Sequence, residues 1–167
     1  NNIINKTIQY EKAQLQTDLG WFDRSALIGD PTQSGLSCAI TSQWVKEIMN
    51  VHGHSDVAVD HNGGSDSQLE DFLEDNFNEG IMYYNYRGFY YGEGSYPPNS
   101  NELTNGYYTP FVSTITCGTG DFNGTSSSEG FVRMGSVNDP KGAVASVGTS
   151  TTGTHTAYNN IVNMGLY

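Results

Sequence analysis

Phe111-Val112-Ser113-Thr114-Ile115-Thr116-Cys117-Gly118-Thr119-Gly120 is the stretch whose reading decides the fold of this chain. Its first six residues carry no charge and are mostly apolar or β-branched, as a buried strand requires. Gly118 and Gly120 permit a tight turn, and Ser126 to Ser128, ahead of Glu129 and Phe131, supply a helix start. Strand, turn and helix in that order form the repeating unit of an α/β fold.

The same unit recurs on both sides. Upstream, Arg24 to Gly29 reads as a buried strand stopped by Asp30-Pro31. Leu36, Ala39, Ile40, Trp44, Val45, Ile48 and Met49 then recur at helical spacing, closed by Gly53. Val57 to Val59 gives a second strand, and the Asn62-Gly63-Gly64 turn leads to Ser67-x-x-Glu70, a capping box for a helix with the stripe Leu69, Phe72, Leu73 and Phe77. Ile81 to Tyr86 is a third strand, and residues 92–106 form a long loop. Downstream, Gly142 to Gly148 is a small-apolar strand, and Thr154 caps a last helix carrying Ala157, Tyr158, Ile161, Val162 and Leu166. Five strands alternating with helices predict an α/β domain, a mainly parallel sheet with helices on both faces and ligands at the strands' carboxyl ends. Residues 1–20 read as an irregular leader or edge segment and residues 21–167 as the domain. The opening at Asn1, without a charged-then-apolar segment, reads as that of a processed or excised piece.

Composition narrows the function. Eighteen acidic against seven basic side chains leave a net charge of −11, which argues against a nucleic-acid surface. No apolar run approaches the ~20 residues of a membrane span. Two cysteines cannot form a disulfide framework. An acidic, lysine-poor chain rich in Asn, Ser, Thr, Gly and Tyr suits an extracellular or cell-surface location.

Cys117 is the first candidate nucleophile. At a strand end beside glycines, uncovered backbone N–H groups stabilise a thiolate and double as an oxyanion hole. The other reading is a small buried hydrophobe. Gly118, Gly120 and Gly124 miss the dinucleotide spacing by one residue. His52, His54 and His61 match no zinc spacing, and Asp60, Asn62, Ser65 and Asp66 miss the calcium-loop register, so no metal site is read from spacing. Arg87, inside the aromatic run Tyr83, Tyr84, Tyr86, Phe89, Tyr90 and Tyr91, suits a salt bridge to Glu129 or Glu93. Cys38, early in the first of these helices, is expected to pack against the sheet.

Taken in order, IMYYNYRGFYYG (81–92), FVSTITCGTGDF (111–122), SSSEGFVRMG (126–135) and PKGAVASVGTSTTGTHTAYNNIV (140–162) resemble the gingipain-type cysteine peptidases. RSALIGDPTQSGLS (24–37) resembles the start of that family's caspase-like catalytic domain, so the likeness covers roughly residues 21–167. The resemblance implies a caspase-like fold, export by a bacterium, and thiol attack on a protein or peptide substrate through an acyl-enzyme, with Cys117 at the nucleophile position. It implies no required cofactor, calcium as a structural ion, and other segments of the same precursor as partners, with part of the family's domain falling after Tyr167. The family's catalytic His lies in a Gly-His step, where this chain reads Gly88-Phe89. His155, at a helix start after the adjacent strand, is the remaining candidate base, or else a residue that bonds locally. The backbone N–H groups of Gly88 and Gly118 are the candidate oxyanion donors. Against the peptidase stands a catalytically inactive homologue serving as a surface, adhesive or structural module.

Overall fold

The computed structural model describes residues 1–13, 15–63, 65–89 and 92–167, so Gly64, Tyr90 and Tyr91 of the motifs above lie outside the described residues. Strands β1 (Arg24–Gly29), β2 (Asp56–Asp60), β3 (Tyr83–Arg87), β4 (Phe111–Thr114) and β5 (Ala145–Gly148) form a sheet in the order β2-β1-β3-β4-β5. Every neighbouring pair is parallel. The expected α/β architecture is therefore present, and the sheet is parallel throughout. The described helices are α1 (Asn2–Lys12), α2 (Ser37–Val51), α3 (Asp66–Glu79), α4 (Ser127–Arg133) and α5 (Thr156–Met164).

The pleat sorts side chains onto two faces. Ala26 and Ile28 of β1, Tyr84 and Tyr86 of β3 and Val112 of β4 pack with Leu69, Leu73 and Phe77 of α3 and Phe131 of α4. On the opposite face Leu27 packs with Val45 and Met49 of α2 and Val57 of β2. There β3 presents Asn85, whose Nδ2 donates to Asn163 Oδ1 of α5 at 2.6 Å and to Ser113 Oγ of β4 at 2.7 Å. Ser113 Oγ in turn lies 2.6 Å from Tyr167 Oη. One face is held by hydrocarbon, and the other partly by a buried amide and hydroxyl network.

That network corrects the expected helix faces. Asn159 and Asn163 are the buried residues of α5, whereas Tyr158 and Ile161 are 70% and 65% exposed. In α2 the buried set is Cys38, Ala39, Thr41, Ser42, Val45 and Met49, leaving Leu36, Ile40 and Trp44 outward. Asn85 and Arg87 on the sheet select the polar side of α5, and the close approach at Gly29, where a Cβ would stand 2.7 Å from Ser42 Cβ, selects the small side of α2. Together α2 and α5 present an apolar outer surface on which α5 carries no charge.

Local signals shift as well. The cap of α3 is Ser65, whose N–H donates to Gln68 Oε1 at 2.9 Å, two residues before the expected box. His155, rather than Thr154, caps α5. The first residues form a helix, not an irregular segment. Lys6 of α1 is fully buried, and its Nζ donates to Val132 O at 2.7 Å, Lys141 O at 2.8 Å and Met134 O at 3.2 Å. It thereby satisfies carbonyls left open at the end of α4, and burial lowers its pKa to about 8. Lys6→Ala leaves those carbonyls buried without a donor, and a loss of about 2 kcal/mol is expected in urea unfolding.

Candidate active site

Parallel register brings the carboxyl ends of the strands to one rim. Ile28, Tyr86, Thr114 and Gly148 stand in line across β1, β3, β4 and β5, so Asp30, Gly88, Cys117 and Thr149 follow at the same edge. In the order β2-β1-β3 the connections reverse between β1 and β3, which opens a crevice where such sheets bind ligands. A cavity of about 140 Å³ occupies that crevice, lined by Asp30, Thr32, Gln33, Asp66, Leu69, Phe89 and Gly92. A second of about 550 Å³ lies beside β5, lined in part by Gly120, Phe122, Ser126, Glu129 and Gly148. Cys117 lines neither cavity.

The segment after β4 is fixed by the loop after β5. Ile115 N–H still donates to Tyr86 O at 3.1 Å, after which the chain turns. Gly118 sits at φ 66°, a conformation that side chains disfavour, and its N–H donates to Thr151 O at 2.8 Å. Gly120 N–H donates to Thr149 O at 2.9 Å, and Thr149 Oγ1 donates to Thr116 O. A Cβ on Gly120 would stand 2.7 Å from Gly148 O, so the two loops touch backbone to backbone.

Within this clamp Cys117 is half-buried and unbridged, as is the fully buried Cys38 on α2. Its Sγ lies 3.1 Å from Thr154 Oγ1. Asn159 Nδ2 donates to that same oxygen at 2.8 Å, which leaves the Thr154 hydroxyl hydrogen free to point at sulfur. Burial pushes the Cys117 thiol up, but the Thr154 hydroxyl and backbone hydrogen bonds at Thr154, Gly153 and Cys117 itself outweigh it, and the net shift is downward. Burial raises the Cys38 thiol, consistent with packing rather than chemistry.

The remaining candidates fall around this sulfur at different removes. His155 is exposed; Ala157 N–H donates to its Nδ1 at 3.2 Å, and its ring packs edge-on against Tyr158 at 5.7 Å. The residue bonded to Cys117 is its neighbour, Thr154. Gly88 is buried next to Phe89, which is 40% exposed where the family carries its base. The Gly118 amide is engaged by Thr151. Arg87 departs from the expected salt bridge: Glu129 pairs instead with Arg133 at 3.0 Å, and the Glu93 side chain lies outside what is described. Sequence reasoning missed Thr154, Asn159 and Asn160. The signal was present, because Thr156, Asn159, Asn160 and Asn163 form a polar stripe at helical spacing beside the apolar one.

The all-parallel α/β domain and its strand-end thiol fit a cysteine peptidase-type domain, the class that the family match establishes. The profile of Peptidase family C25 matches residues 1–167, and the chain belongs to that family. Among solved structures it is similar to the Arg-specific cysteine proteinase gingipain R (RgpB), at 22% identity and a TM-score of 0.73, covering 99% of this chain and 41% of that one. A complex of Porphyromonas gingivalis RgpB pro- and mature domains matches at 22% identity and a TM-score of 0.71, covering 92% of this chain and 38% of that one. A further protease structure matches at 20% identity and a TM-score of 0.75, covering 98% and 36%. These likenesses establish the caspase-like fold, and the chain spans about two fifths of the gingipain length. No curated protein matches it.

Thr154→Val removes the side-chain donor at sulfur. The pH midpoint for alkylation of Cys117 by iodoacetamide is expected to rise by about one unit, read by mass mapping of the adduct across a pH series.

Proposed function

We propose that this domain is an exported cysteine endopeptidase unit that cleaves peptide bonds through an acyl-enzyme on Cys117. The observation that carries the reading is the Cys117 sulfur itself, partly open at the rim, with its thiol shifted downward by surrounding donors. In the proposed reaction Sγ bonds to the peptide carbonyl carbon and the Gly88 N–H faces the oxyanion. The C–N bond then breaks, the amine leaves with a proton, and water releases the acid and restores the thiol. His155 is the proposed proton carrier. With Nδ1 accepting from Ala157 its ring hydrogen sits on Nε2, so acting as a base requires it to give up the helix cap. A role for Gly118 likewise requires the loop at Thr151 to move away.

A second reading has specific support. Phe89 occupies the place of the family's imidazole, and His155 is committed to capping, both of which favour an inactive homologue acting as a surface, adhesive or structural module. In either case the proposed partners include other segments of a longer precursor. The apolar outer surface of α2 and α5 supports this, as does the neighbouring RgpB complex between its own pro- and mature domains. An extracellular or cell-surface location is part of the same proposal. No described helix is long and apolar enough to cross a membrane.

Calcium, implied by kinship as a structural ion, fits one place among the described residues. Glu70, Glu74 and Glu102 each bring a carboxylate oxygen within 4.8 Å of the others, a hard donor set. Desolvation and the neighbouring Glu102 push Glu74 up to about 7, the mark of a crowded carboxylate that a cation would relieve. Asp60 and Ser65 are used instead in turn and cap bonds. Added calcium is expected to raise the thermal midpoint, and Glu74→Gln to abolish that rise.

The two functional readings separate on covalent labelling. A peptidyl acyloxymethyl ketone at neutral pH is expected to modify Cys117 much faster than it modifies a free thiol, with the adduct mapped by mass spectrometry. Labelling no faster than a free thiol, together with undiminished iodoacetamide reactivity, would select the inactive module.

A further inference from the structure

Arg87 is 1% exposed, yet no described carboxylate pairs with it. Its guanidinium instead spans the three segments that make the rim. Nη1 donates to Gly88 O at 2.8 Å and to Ile115 O at 3.3 Å, Nη2 to Thr156 O at 3.1 Å, and Nε to Asn160 Oδ1 at 2.6 Å. Gly88 belongs to the segment after β3, Ile115 precedes Cys117 by two residues, and Thr156 and Asn160 open α5 just after Thr154 and His155. One planar fork therefore ties the proposed oxyanion peptide, the nucleophile segment and the segment carrying the sulfur's hydroxyl partner.

From this geometry we infer that Arg87 is the positioning residue of the site: it ties the rim segments together and fixes a positive charge beside the segment that carries Cys117, where this chain has Phe89 in place of an imidazole. The inference deepens the reading of Cys117 as the reactive sulfur and rests on it.

A buried cation surrounded by neutral acceptors calls for a counter-charge. The ionisable groups acting on Arg87 are Cys38 from α2, Tyr86 from its own strand and Cys117 from the end of β4. Asp30, at the end of β1, is spent on Thr32 N–H at 2.8 Å and on Tyr86 Oη at 3.3 Å. His155, from the start of α5, is exposed and turned to its own helix. Burial raises both Cys38 and Tyr86, so they stay neutral. Cys117 alone among the three is shifted toward its anion, by the hydrogen bonds at Thr154, Gly153 and Cys117 itself. A guanidinium cannot take a proton at working pH, so Arg87 offers charge and position without acting as a base.

The test is the pH midpoint of Cys117 alkylation by iodoacetamide, resolved from Cys38 by peptide mapping, in the intact chain and in Arg87→Met, Arg87→Lys and Asn160→Asp. Removing the charge, or answering it with a carboxylate in Asn160→Asp, is expected to raise the midpoint by about one unit. Arg87→Lys keeps the charge and should return the midpoint to within a few tenths of a unit of the unsubstituted chain, even where its thermal midpoint falls as far as that of Arg87→Met. A purely structural Arg87 would not separate the two in this way. Where Arg87→Met fails to fold, judged by circular dichroism, Asn160→Asp decides, because it retains both the arginine and an acceptor. Unchanged midpoints in the folded variants overturn the inference. Failure of the peptidyl probe to label the unsubstituted chain overturns the peptidase reading alone, since the iodoacetamide midpoints are read without any peptide.

Discussion

The sheet face under α5 is organised by hydrogen bonds rather than by hydrocarbon. Asn85 and Arg87, two residues apart on β3, point to the same side and reach Asn163 and Asn160 of α5. Each is buried, and each is costly unless satisfied. Once those partners are required, the rotation of α5 about its axis is fixed, because only one face of the helix carries Asn at positions 159, 160 and 163. Its apolar residues are then forced outward, and its N-terminus comes to the rim with Thr154 against the Cys117 sulfur. The site is a consequence of how β3 chooses its helix.

This arrangement also shows how the connections after β4 and β5 hold one another at the rim. Gly118, Gly120 and Gly148 allow the connections after β4 and β5 to touch through backbone alone, and the resulting bonds to Thr151 and Thr149 leave the sulfur little freedom. A thiolate so held depends on nearby dipoles. The Thr154 hydroxyl, oriented by Asn159, is a short relay from α5 to sulfur. Burial opposes ionisation at the same atom, and the donors prevail.

The fold was legible because strand and helix patterns repeat with clear stops: the β4 unit, the Asp30-Pro31 break and the Gly53 stop after α2 were all readable from residue types. The position of Cys117 at the rim was legible from its place after an uncharged strand. The orientation of α2 and α5 was not, since apolar periodicity assumes that the buried face is the apolar one. That assumption fails for α5 where the sheet itself is polar, with Asn85 in the middle of β3 as the warning, and for α2 where Gly29 admits only small residues. Arg87 was misread for a related reason: charge pairing is the usual fate of a buried arginine, whereas here its donors go to the carbonyls of Gly88, Ile115 and Thr156 and to the Asn160 amide oxygen. His155 was placed correctly at a helix start, but sequence does not reveal which ring nitrogen a cap consumes.

Phe89 in the place of the family's imidazole changes which step of the proposed chemistry is supported. Attack by sulfur needs an ionised thiol, which a fixed positive charge and hydrogen-bond donors can provide. Expulsion of an amine also needs a proton delivered to nitrogen, which a guanidinium does not release. In an ordinary cysteine–histidine pair one ring serves both steps in turn. With Phe89 in that position the two duties are divided, so formation of an adduct on Cys117 and turnover of a peptide bond become separable properties of the same site. Retention of the first without the second is the chemical meaning of an inactive homologue, and it requires no change in the fold.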